Sequence, residues 1–208
     1  MKIKIFVVVL AAFAMGCLSL SAQTAEEIVK KMTAEIQAAE TGGYAVDLNM
    51  KMPIIGLVKS HIMVYGDKTR MDVSGKENMG TVWTDATTKW DYSPKDATVT
   101  ITAKEGSDSG QNELQSVKGL DEGYKLTLKE ETADSWYIIC KKTKANKVKD
   151  DPKKVYLTVS KATYLPISIL SKSMLFTFNM ANMTTGVTEA DVTFDPASLP
   201  GVNIIDKR

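Results

Sequence analysis

Histidine occurs once in this 208-residue chain and cysteine twice, and those two scarcities remove whole classes of chemistry. His61 alone cannot build a histidine metal site, and Cys17 with Cys140 cannot build a thiolate cage, since zinc centres take three or four such ligands. No G-x-S-x-G segment supplies a nucleophile elbow. Gly42-Gly43 and the Gly106/Gly110 pair lack the strand-to-helix setting that phosphate-cradling loops need. Asp150-Asp151 is a carboxylate pair only on paper, because neighbouring strand residues face opposite ways and Pro152 points to a turn. An excess of either charge is also missing: 26 Lys and Arg stand against 25 Asp and Glu, which gives no overall electrostatic case for nucleic acid or for an anionic membrane surface. No catalytic residue, metal or cofactor is expected.

Long apolar runs are absent except at the start. Met1-Lys2-Ile3-Lys4 is a short positive segment, Ile5 to Leu18 is nearly all apolar, and Ser21-Ala22 places small residues before Gln23. This is the pattern of a secretory signal peptide, residues 1–22, cleaved after Ala22. The run is shorter than the roughly 18–20 residues of a spanning helix. Residues 23–208 are then one exported domain, with formal charge −1 once Lys2 and Lys4 are gone. Ala14-Met15-Gly16-Cys17 loosely resembles a lipobox, which is the alternative, although Leu18 and Leu20 continue the apolar stretch. After cleavage only Cys140 remains, inside the run Trp136 to Cys140, where it reads as a small buried hydrophobe without a disulfide partner.

Thr24-Ala25-Glu26-Glu27 is a capping box, and Ala25, Ile28, Val29, Met32, Ile36 and Ala39 recur at helical spacing until Gly42-Gly43. From Tyr44 the period becomes two, with Tyr44, Val46, Leu48, Met50 and Met52 on one face and Asp47, Asn49 and Lys51 on the other. Strands are expected at 57–65, 69–74, 81–84, 89–92 and 98–102, and again at 124–130, 135–141, 155–160, 165–170, 174–182 and 187–194. Turn chemistry separates them, as in Gly66-Asp67 and Ser93-Pro94-Lys95-Asp96. Residues 103–123 interrupt the rhythm. Their Gly and Ser cluster, followed by Leu114, Val117 and Leu120 at helical spacing, reads as a lid or crossing loop. So many short strands in one domain require a strongly curved antiparallel sheet with the amphipathic helix against its concave face. Nine methionines beyond Met1 and Met15 suit either an irregular core or an apolar cavity.

Two segments resemble a known family. Asp85-Ala86-Thr87-Thr88-Lys89-Trp90-Asp91-Tyr92-Ser93-Pro94 resembles the Trp-x-Tyr-x-Pro hairpin of LolA-type lipoprotein carriers. Val192 to Pro196 with Gly201 to Asp206 is similar to that family's closing segment, with extra residues inserted. The order of export signal, amphipathic helix and strand meander agrees. The resemblance implies a mainly β fold with α, an incomplete β-barrel whose hydrophobic concavity is covered by the N-terminal helix and a short helical lid. It implies a non-enzymatic periplasmic carrier for the acyl chains of lipoproteins or other lipid, a monomer, receiving cargo from an inner-membrane release complex and passing it to an outer-membrane receptor. The alternative is a static lipid- or protein-binding sensor or scaffold on the same fold.

On that fold the residues expected to face the ligand are Val46, Leu48, Met50, Met52, Ile62, Val64, Met71, Val73 and Trp83. Leu114, Val117 and Leu120 are expected to form the lid's apolar edge. The resemblance also implies a basic gating residue near the third strand, Lys68 or Arg70, with the register between them open.

Overall fold

The computed structural model describes residues 23–75, 80–104, 120–149, 151–172 and 176–208. The export segment, and Leu114 and Val117 of the expected lid, lie outside the described residues.

Helix α1, Ala25–Gly42, starts where the sequence caps it. Glu27 N–H donates to Thr24 Oγ1 at 3.2 Å, and Thr24 N–H donates to Glu27 Oε2 at 3.0 Å, satisfying two otherwise unpaired helix donors. It stops at Gly43, whose φ of 82° suits glycine and whose missing Cβ leaves room for the Val187 carbonyl. Its six apolar stripe residues are all buried, and each fully buried Ile, Val or Met contributes about 1.5–3 kcal/mol before entropy is counted.

Eleven strands then form two antiparallel meanders. The first is β1 (Tyr44–Met52), β2 (Gly56–Tyr65), β3 (Lys68–Ser74), β4 (Gly80–Thr84), β5 (Thr88–Ser93) and β6 (Thr98–Ala103). A short helix, α2 (Leu120–Gly123), leads into the second: β7 (Tyr124–Glu131), β8 (Ser135–Lys142), β9 (Lys154–Ser160), β10 (Pro166–Lys172) and β11 (Thr177–Thr185). Pairing of β1 with β11 joins the two, and β12 (Asn203–Asp206) adds parallel to β6. The result is one curved sheet in the order β12-β6-β5-β4-β3-β2-β1-β11-β10-β9-β8-β7, with β12 and β7 as its edges and no closure into a barrel.

Register decides what each face carries. Val46 pairs with Ile62, Ile62 with Met71 and Met71 with Val82, so these four share a face with Tyr44, Leu48 and Met50. Helix α1 sits on that face and touches both β2 and β7, although five strands separate them. The main core lies there, joining Ile28, Val29, Met32 and Ile36 to Val46, Leu48, Ile62, Ile138, Leu157 and Met180. The opposite face is covered at one end by the C-terminal segment. There Phe194 stacks on Trp90 at 5.7 Å and tilts against Trp83 at 5.3 Å, above the buried Val99 and Ile101.

That segment corrects one expectation. Residues 187–194 do not form a strand, because the Asp191 carboxylate accepts from the Thr188 N–H and hydroxyl at 2.8 and 2.7 Å and starts the short helix α3, Glu189–Val192. The local Thr-x-x-Asp cap outweighs the alternation of apolar residues.

Candidate functional site

The helix face of the sheet runs beyond what α1 covers. Strand pairs line up Phe178, Met50 and Val58 in one row, Leu48 and Val73 either side of Ser60 in the next, and Ile62, Met71 and Val82 in a third. Val46, Leu48, Ile62 and Val64 are buried in the core with α1. Met50, Met52, Val58, Met71, Val73, Val82 and Phe178 are only half-buried. Apolar surface thus continues outward from a packed core as a strip with partial cover, and its methionines are flexible enough to meet apolar groups of varied shape.

The expected ligand-facing residues divide accordingly. Met50, Met52, Met71 and Val73 line this strip, whereas Val46, Leu48, Ile62 and Val64 are filled core beneath the helix. Trp83 is a correction: it pairs with Arg70 and Trp90, one residue out of phase with Val82, and so lies on the opposite face under Phe194. Leu120 begins α2 and is 2% exposed, packed into the same core as α1. Val58, Val82 and Phe178 are strip residues that sequence reasoning passed over, although the alternation of β2, β4 and β11 carries them.

Both candidate gating cations lie on the Trp83 face. Lys68 Nζ donates to Glu189 Oε1 at 2.5 Å, which raises the lysine pKa and lowers that of Glu189 and fastens α3 to β3. Arg70 Nε donates to Asp72 Oδ1 at 3.2 Å while its guanidinium sits 5.6 Å from the Trp83 ring.

A second depression, about 580 Å³, opens on that same face and is lined by Asp47, Asn49, Lys59, His61, Asp72, Thr81 and Tyr92 among others. Asp47, being acceptor-only, takes His61 Nδ1 at 2.7 Å and Asn182 Nδ2 at 2.8 Å. Those hydrogen bonds, Asn182 first, hold its carboxyl below the ordinary range. Thr81 donates to Asp72 at 2.8 Å. Among the described residues no serine or cysteine is bonded to His61, and burial pushes the Cys140 thiol up to about 12 on the far side of the sheet. A neutral, buried thiol is a poor nucleophile. Among the described residues no cluster of three or more His, Cys, Asp or Glu could hold a metal ion, and no helix is long and apolar enough to cross a membrane.

No family model matches the chain, and no curated protein matches it. Similar solved structures include an uncharacterized conserved protein from Thermus thermophilus, at 13% identity over 89% of this chain and 100% of that one, TM-score 0.47. A LolA superfamily protein from Nitrosomonas europaea is similar at 14% identity over 84% and 99% of the two chains, TM-score 0.35. So is a putative outer membrane lipoprotein-sorting protein domain from Vibrio parahaemolyticus, at 13% identity over 79% and 97%, TM-score 0.32. Among the described residues, the fold defines an open, curved sheet with α1 seated on an apolar face that it does not fully cover.

Proposed function

We propose that this chain is an exported, non-enzymatic carrier that shelters the acyl chains of lipoproteins, or of another lipid, on the helix face of its sheet and delivers them between membranes. The strip of Met50, Val58, Met71, Val82 and Phe178 carries the reading, because half-buried apolar surface continuous with a core is where a further apolar group can be withdrawn from water. Each acyl CH₂ removed from water contributes about 0.8 kcal/mol, so even partial cover of one chain supplies useful affinity. Partial cover also leaves cargo releasable. The likeness of the Trp90-Asp91-Tyr92-Ser93-Pro94 hairpin and the closing Gly201 to Asp206 segment to LolA-type carriers supports the same reading.

Native mass spectrometry of the exported protein purified without detergent tests it. Acylated polypeptide or lipid should accompany the protein and leave it when acceptor vesicles are added. A protein that retains bound lipid against acceptor vesicles is a static binder, and one that never carries an acyl group contradicts both. The polar depression of about 580 Å³ on the other face favours a second reading, a scaffold that also engages a polypeptide.

A further inference from the structure

The turn between β1 and β2 departs from the polar chemistry usual in hairpins. It reads Met52-Pro53-Ile54-Ile55-Gly56-Leu57 and closes at Gly56, whose φ of 85° is left-handed. Ile54 is 93% exposed, Ile55 50% and Leu57 46%. Lys51 pairs with both Leu57 and Thr177, which brings the beginning of β11 alongside, and Phe176 there is 43% exposed. Ile54, Ile55 and Leu57 therefore expose large apolar side chains at one end of the sheet, with part of Phe176 beside them. A single exposed leucine needs no explanation, but a cluster at a projecting tip does.

Along the stretches of strand that meet at the tip, charge has one sign. Residues 48–66 and 162–188 contain no aspartate or glutamate, while Lys51, Lys59 and Lys172 are all exposed. The near-neutral balance of the whole chain hides this local excess. Apolar side chains at the point and lysines on the shoulders match the layers of an anionic bilayer, where phosphates lie outside the hydrocarbon.

We propose that this tip docks on anionic phospholipid bilayers, with Ile54 and Ile55 entering the boundary between headgroups and acyl chains and Lys51, Lys59 and Lys172 meeting lipid phosphates. Docking is independent of cargo, since Ile54 and Ile55 stand outside the strip. Its consequence for a carrier is geometric. Met52 is both the last residue of the strip and the first of the turn, so docking brings the strip's outer end to the membrane.

The test is flotation of the exported, detergent-free protein with phosphatidylcholine vesicles, with and without phosphatidylglycerol. Binding should require phosphatidylglycerol and weaken as salt rises. Ile54→Asp with Ile55→Asp should weaken it at least about tenfold, and each of Lys51→Gln and Lys172→Gln roughly fivefold or less, with unchanged circular dichroism. An Ile54→Trp probe should shift its emission to the blue and be quenched by lipids brominated along the acyl chain. Unweakened binding of the double variant, or an Ile54→Trp probe that stays in water, overturns the proposal. So does recruitment only to vesicles carrying membrane proteins, which would make the tip a protein contact, or a dimer that the double variant abolishes. Cargo measured by mass spectrometry in the same double variant separates failure of docking from failure of the carrier reading.

Discussion

Asp47 sits where the two meanders meet, accepting from His61 on β2 and from Asn182 on β11. Its carboxyl is held below the usual value, so the ionised form is favoured in the folded state. A depressed folded pKa contributes stability that is fully present above the unfolded value, about 3.9, and is lost as pH falls through the folded value. The Asp47 side chain is 37% exposed, so the contribution is discounted for solvent screening to about 0.2–1 kcal/mol. Asp47→Asn should therefore lower the urea midpoint at neutral pH, and the difference should shrink as pH drops below about 4. A difference that stays constant down the acid limb would mean that ionisation of the Asp47 carboxyl does not matter. At this scale sequence was a partial guide. The alternation of Tyr44 to Met52 placed Val46, Leu48, Met50 and Met52 on one face, as found, but Val82 and Trp83 are both apolar neighbours on one strand. Alternation cannot say which of two such residues faces the helix when both faces of a sheet are partly covered.

Among the elements, α1 was the most legible, because its cap, its stripe and its terminating glycines all agree. Tertiary contacts add what no local pattern states: Lys31 Nζ donates to the Tyr164 hydroxyl at 3.3 Å, and that hydroxyl donates to Gln23 Oε1 at 3.1 Å, fixing the helix start to the β9–β10 turn. Removing the cap with Thr24→Ala should cost about 1 kcal/mol in chemical denaturation. Ile36→Ala, at 0% exposure, should cost about 2–5 kcal/mol, since the sheet beneath cannot collapse onto the helix. If Ile36→Ala cost no more than the cap variant, the helix would be a loosely seated cover and not part of the core. Strands bounded by Gly66-Asp67 or Ser93-Pro94 were readable from turn chemistry. The segment 187–194 was not, because a four-residue helix leaves too short a periodic signal. The parallel strand β12 was missed as a strand for a different reason: its partner β6 lies about a hundred residues earlier, beyond any local pattern.

At the scale of the whole molecule, strand order could not be read from the sequence. The joint between β1 and β11 pairs residues such as Leu48 and Met180, far apart along the chain, and that joint turns two meanders into one curved sheet with α1 against it. The same joint lines up Phe178 beside Met50 and so extends onto β11 a strip that the first meander otherwise carries. The most direct measurement of the central claim is photolabelling of the unaltered protein with a fatty acyl probe that carries its reactive carbon near the chain end, followed by peptide mapping. Label is predicted on the helix face at Met50, Val58, Met71, Val82 or Phe178, and it should be displaced by a natural acylated peptide. Label confined to the opposite face around Asp47, His61 and Tyr92, or incorporation that no acyl competitor reduces, would contradict the account.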